Sequence, residues 1–225
     1  MCDACDAMTK FHLTTCILGL CTAAIVGCAA TNQWDPPADC SPEDEAWLET
    51  APRCGRDGYY APSTAPDCQV IDGNLDLYHS GQTALPEFTR FRAVLGVLSL
   101  GSAYLLTDLS GLRNLEYLGN FGISGAPVTS LEGLANLRTV TNSVSIGRMP
   151  VLTSLEGLES LRFIGGDLLI YENGALTALR GLSSLCSVGG NVQITDNPML
   201  PQSEIDAFLA HVEVGGEVTV TNPGP

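Results

Sequence analysis

The sequence predicts an all-β-dominated fold, a parallel β-solenoid of about seven rungs, on three observations. First, a 13-residue block, apolar-Thr-x-Leu-x-Gly-Leu-x-x-Leu-x-x-apolar, recurs at residues 106–118, 128–140, 152–164 and 176–188, with starts 22, 24 and 24 residues apart. A fixed period near 24 is the mark of stacked turns. Second, an apolar-x-apolar pair follows each block and extends the period beyond the four full copies: Leu75/Leu77, Leu98/Leu100, Phe121/Ile123, Val144/Ile146, Leu168/Ile170, Val192/Ile194 and Val218/Val220. Such alternation is a strand signal, with both apolar side chains on one face. Third, each turn has three apolar stations, so the coil bends at about three corners. Gly111, Gly133, Gly157 and Gly181 mark one corner, where a side chain would obstruct the neighbouring turn. A single turn buries too little to fold alone, and stacking with ladder hydrogen bonds must supply the rest.

From the N-terminus, residues 13–26 form an apolar run of 14, too short to span a bilayer and suited to the core of a signal peptide over 1–27. Asp3 and Asp6 spoil the positive region expected before Lys10, so translation is expected to start at Met8, where Met-Thr-Lys-Phe-His is an ordinary signal start. The run ends in Ile25-Val26-Gly27-Cys28. This resembles the lipobox of bacterial lipoproteins, which implies lipidation of Cys28 and attachment to a membrane through the lipid. Ala29 after that cysteine is compatible, by the same resemblance, with sorting to the outer membrane of a Gram-negative bacterium.

Residues 28–67 lack the repeat and are rich in proline and acid, as a tether and N-terminal cap would be. Within them Ser41-Pro42-Glu43-Asp44 opens a predicted helix whose Trp47 and Leu48 are expected to cover the first rung. With the signal removed and Cys28 lipidated, four cysteines remain, which allow three pairings. Cys54 with Cys68 is the expected disulfide, closing a loop of about 15 residues worth about 3 kcal/mol in the chain-entropy picture. Cys186 occupies an outward position held by Glu116, Arg138 and Arg162 in the other blocks, and five rungs at about 4.8 Å separate it from Cys68. It reads as a free thiol unless the segment carrying Cys40 folds back along the stack.

The solenoid itself is expected over 68–222. At its far end Ser203-Glu204-Ile205-Asp206 opens a helix over 203–212, with Ile205, Phe208, Leu209 and Val212 on one apolar face, as a C-terminal cap. Pro223 and Pro225 then discourage addition of a further strand.

The run from Asp67-Cys68 through Val70-Ile71-Asp72-Gly73-Asn74-Leu75-Asp76-Leu77 resembles the opening of receptor L domains, and Leu158 to Ile170 and Ile194-Thr195-Asp196-Asn197-Pro198 resemble their later turns. The resemblance covers 68–222. It implies a right-handed, leucine-rich-repeat-like solenoid that works by binding, but no motif here carries that family's ligand-contacting residues across.

Chemistry is sparse. The net charge of -15 argues against nucleic acid as a partner and keeps an extended, flat-sided molecule soluble. Of three histidines, His12 is in the signal, His79 follows the first strand and His211 lies on the C-terminal helix; no zinc spacing, nucleophile elbow or phosphate loop is present, so no catalytic residue, metal or cofactor is expected. Asp72, Asp76 and His79 fit solvent-facing positions better than an acid–base or cation site. Thr107, Thr129, Thr153 and Thr177 read as an ordinary β-branched ladder. Recognition surfaces favour aromatic and arginine anchors. Here these fall at strand ends and turns, making Tyr78, Tyr104, Arg148 and Tyr171 the candidate ligand rim. The functional expectation is a non-enzymatic, lipid-anchored envelope protein that binds an unidentified protein or glycan. A polysaccharide-active β-helix enzyme and a purely structural envelope component are the alternatives.

Overall fold

The computed structural model describes residues 47–54, 68–77, 83–85 and 88–222. Its strands form one sheet in which successive pairings are parallel. In chain order they are β1 (Arg53–Cys54), β2 (Val70–Ile71), β3 (Leu75–Asp76), β4 (Ala93–Gly101), β5 (Tyr117–Ser124), β6 (Thr139–Val140), β7 (Val144–Gly147), β8 (Phe163–Ile164), β9 (Leu168–Tyr171), β10 (Ser187–Val188), β11 (Val192–Thr195), β12 (Glu213–Val214) and β13 (Val218–Thr221).

The pairings make two ladders that run side by side along a solenoid-like stack. The first joins β1, β2, the leading residues of β4 and β5, then β6, β8, β10 and β12. The second joins β3, the trailing residues of β4 and β5, then β7, β9, β11 and β13. The apolar pairs of the sequence repeat meet in register in the second ladder: Leu98 opposite Phe121, Phe121 opposite Val144, Val144 opposite Leu168, Leu168 opposite Val192, and Val192 opposite Val218. The bridges Ala84–Asp108 and Ser154–Ala178 mark a third side, where short 3-10 turns at Ser110–Leu112, Glu132–Leu134 and Arg180–Leu182 carry the leucines inward.

Leucines of successive blocks stack over one another, and Leu112, Leu134, Leu158 and Leu182 are completely buried. The glycine corner has the cause the sequence suggested. A Cβ on Gly133 would lie 2.0 Å from the Leu109 carbonyl oxygen, and one on Gly157 would lie 2.0 Å from the Leu131 carbonyl carbon. No side chain fits between these turns. The threonines also act within the stack, since the Thr177 hydroxyl donates to the Thr153 carbonyl at 3.0 Å and that of Thr107 to the Thr83 carbonyl at 3.3 Å.

The N-terminal helix differs from its expected placement. Helix α1 (Trp47–Thr50) lies against the outward side of the first ladder, where Leu48 packs with Val70 and Ala93, flanked by Trp47, Leu95 and Tyr117. The edge of the first rung is instead extended by β1, which pairs with β2. An amphipathic helix announces its apolar face but not which surface receives it, and here the outer face offered Val70 and Ala93. At the other end, α2 spans Gln202–Leu209 and buries Ile205 and Phe208. It sits on the preceding turn: Glu204 accepts the Leu179 N–H at 3.1 Å, and a ring nitrogen of His211 lies 3.3 Å from the Leu182 carbonyl. The helix therefore closes the leucine side of the core and leaves the last strands open, with Val218 45% exposed. The expected signal peptide, Cys28, Ser41 and the terminal prolines lie outside the described residues.

Candidate functional site

The turn leaving the second ladder is the irregular edge of the repeat. At this corner Ser102, Arg148, Glu172 and Asp196 all have φ between 53° and 56°, and Gly125 has φ 70°. Left-handed backbone is uncommon for residues with side chains, and its recurrence rung after rung shows a corner imposed by the stack. Its N–H groups stay in the ladder, with Arg148 donating to the Tyr171 carbonyl at 3.0 Å and Glu172 to the Thr195 carbonyl at 3.1 Å. The left-handed bend turns the side chains away from the core.

Three of the four sequence-predicted rim residues, Tyr104, Arg148 and Tyr171, gather here, and the fourth, Tyr78, lies outside the described residues. Tyr104 is 65% exposed and is followed by Leu105, itself 57% exposed. Its ring lies above Gly125, where an added Cβ would come within 2.9 Å of a ring carbon. From the opposite direction the Tyr171 ring covers Gly147, where a Cβ would meet the ring at 2.3 Å. Two glycines thus give two tyrosines room to lie along the rim instead of standing off it. From the rung of Tyr104 to that of Tyr171 is three steps, about 14 Å.

Beside Tyr171 sits a forked ion pair. Arg148 Nε donates to Glu172 Oε2 and Nη2 to Oε1, both at 3.1 Å. The Arg148 guanidinium carbon is 5.9 Å from the Tyr171 ring centre. Hydrogen bonds from Arg148, with its charge as a further cause against the opposing effect of burial, hold the Glu172 carboxyl below its ordinary range. The same hydrogen bond and charge raise the Arg148 pKa, with smaller contributions in that direction from Tyr171 and Tyr104. Exposed Val151 and Met199 lie on the turns that follow the same corner. Sequence reading named the aromatics and Arg148 but missed Glu172. The signal was available, since Glu172 follows Arg148 by one full period of 24 residues.

Behind the rim, asparagines fix the corner. Asn173 Oδ1 accepts the Met149 N–H at 3.1 Å and its Nδ2 donates to the Ile146 carbonyl at 3.1 Å. Asn197 Oδ1 accepts the Asn173 N–H at 3.1 Å, and its Nδ2 donates to the Ile170 carbonyl at 3.0 Å.

The other candidates are placed elsewhere. Asp72 is paired with Arg53, Asp76 is an exposed strand residue, and His79 lies outside the described residues. Among the described residues no group of three His, Cys, Asp or Glu could hold a metal ion, and no helix is long and apolar enough to cross a membrane. No disulfide joins two described side chains. Cys68 and Cys186 are nevertheless each disulfide-bonded, so Cys186 is not the free thiol expected of it. The backbone of Cys54 lies in β1 beside β2, but its side chain is outside the described set.

No protein-family model matches this chain, and no curated protein or solved structure matches it.

Proposed function

We propose that this chain is a non-enzymatic cell-envelope lipoprotein, anchored by a lipid on Cys28, that presents a right-handed, receptor L-domain-like solenoid for adhesion or recognition, with a glycan as the favoured ligand and a protein as the other. The observation that carries this reading is the rim itself. Two tyrosine rings packed over glycines, on rungs about 14 Å apart, share this edge with a forked Arg148–Glu172 pair beside Tyr171. Flat aromatic faces suit the apolar faces of sugar rings, and a planar guanidinium–carboxylate fork presents spare donors and acceptors to hydroxyls.

An enzyme acting on polysaccharide is the weaker reading. Such chemistry needs a carboxyl that holds its proton near neutral pH. Glu172 is shifted the opposite way. A purely structural envelope role draws support from the same ion pair, since Arg148 and Glu172 satisfy one another without any ligand.

A glycan array and a pull-down with the chain from residue 29 onward separate these readings. Binding should appear and fall about tenfold or more when Tyr104 and Tyr171 are both changed to Ala. Absence of binding in both assays would favour the structural role. The anchor has its own test: incorporation of a fatty-acid probe should be lost in Cys28→Ala, and unchanged labelling refutes it.

A further inference from the structure

In the second ladder the N–H of each rung's leading apolar residue donates to the rung that follows: Phe121 to the Ser143 carbonyl at 3.0 Å, Val144 to that of Asp167 at 2.8 Å, Leu168 to that of Asn191 at 2.8 Å and Val192 to that of Glu217 at 2.9 Å. Val218 is next in this series, opposite Val192, and among the described residues nothing accepts from it. In a parallel ladder alternate residues turn both N–H and C=O toward the same neighbour. Val192 and Ile194 spend theirs on β13, so Val218 and Val220, directly opposite, turn theirs to the free edge.

Two columns of side chains stop at the same edge. Side-chain oxygens of Asn120, Ser143, Asp167 and Asn191 each accept a backbone N–H from the next rung, the last of them that of Glu217. The exposed Glu217 carboxylate stands next in that column. At the corner, the N–H groups of Met149, Asn173 and Asn197 each find an amide oxygen one rung on, the last belonging to Asn222, whose own N–H has no rung beyond it. The last rung is therefore a template for one more. Charge selects what fits it. Beyond Arg180 the chain carries Asp196, Glu204, Asp206, Glu213 and Glu217 but neither lysine nor arginine, and Asp196, Glu213 and Glu217 are exposed. A second copy presenting the same end would set like charges together. The prolines expected to guard this edge come only after Asn222, and Val218–Thr221 contains none.

We propose that this end of the solenoid binds an extended basic segment of a partner protein, which adds as a strand beyond β13. Its apolar side chains cover Val218 and Val220, its alternate lysines or arginines lie toward Glu217 and the neighbouring carboxylates, and its backbone meets the free N–H and C=O groups of the edge. This surface is at the end of the stack and owes nothing to the Tyr104–Tyr171 rim.

Fluorescence anisotropy on the intact chain tests this with a labelled peptide, acetyl-Lys-Val-Lys-Val-Lys-Val-Lys-amide. It should bind, more weakly as salt is raised, and the peptide with Glu for each Lys should not. With its valines over Val218 and Val220, the lysine N–H groups face the edge. N-methylation of the lysine amides should therefore weaken binding about tenfold or more, and N-methylation of the valine amides by less than about twofold. Val218→Pro removes a donor that the fold does not use and should weaken binding about tenfold with the circular dichroism unchanged. The methylated pair leaves the protein unaltered, so that comparison stands even where Val218→Pro misfolds. Equal binding of the two methylated peptides would reduce the contact to charge alone and overturn the proposal, as would no binding of the lysine peptide. A dimer in sedimentation that Val218→Pro dissolves would make a second copy the occupant and overturn it too.

Discussion

Asn173 is completely buried, yet both ends of its amide and its backbone N–H are hydrogen-bonded across rungs. Replacing it by Leu keeps the branching of the side chain but leaves the Met149 N–H buried without a partner, while the Ile146 carbonyl retains its place in the β7–β9 ladder. At about 1–3 kcal/mol for the abandoned donor, Asn173→Leu should cost at least that much, read as a fall in the urea midpoint. A loss under about 1 kcal/mol would show that water or a shifted backbone replaces the amide. The rim pair makes a different prediction. Because the folded-state pKa of Glu172 is lowered, its contribution to stability is present above the unfolded value and lost as pH falls through the lowered one. The melting temperature of Glu172→Gln should therefore lie slightly below that of the parent at neutral pH and converge with it by about pH 2. A gap that persists in acid would mean the substitution acts through packing. These residues show what a sequence conceals. Asn173 and Asn197 were visible as letters, but their burial depends on which neighbours close over them, and the Arg148–Glu172 fork appears only when the chain is folded at its own period.

Corners and caps are the elements on which sequence reasoning divided. The glycine corner was legible because its cause is local and repeated: each block places Gly where the turn below presents a carbonyl. Gly133→Ala should cost about 3 kcal/mol or more, since the added methyl meets the Leu109 backbone, which cannot step aside without moving a rung. Gly122 makes the contrast. It lies within β5, and a Cβ there meets nothing within 4 Å. Gly122→Ala should be neutral or raise stability by about 0.5 kcal/mol through loss of unfolded-state freedom. Equal effects at both sites, measured by chemical denaturation, would remove the close-approach explanation. The caps were legible as helices, but the placement of α1 was not. The pattern in α1 could not distinguish the end of the core from its outer wall. In α2 the contacts through Glu204 and His211 bring together residues 25 and 29 positions apart in sequence, outside the rule of the repeat.

At the scale of the whole molecule, a stack in which every rung touches its neighbours should tolerate removal of one complete rung. Deleting 144–167 joins Ser143 to Leu168 and removes one period of 24 residues. The new neighbours are already compatible. Phe121, which faces Val144, would face Leu168, and Ile123 would face Ile170 in place of Ile146. Ser143 Oγ now accepts the Asp167 N–H at 3.1 Å, and the equivalent N–H of Asn191 would take that place. The shortened chain should fold with its parallel sheet intact by circular dichroism and unfold with a smaller denaturant slope, in proportion to the surface it no longer buries. It would also lose Gly147 and Arg148, bringing the rungs of Tyr104 and Tyr171 about 5 Å closer with no guanidinium between them. Glycan or protein binding through the rim should then disappear while the fold persists. Binding that survives the deletion would place recognition elsewhere on the solenoid, and a chain that fails to fold would show that its rungs are not interchangeable units.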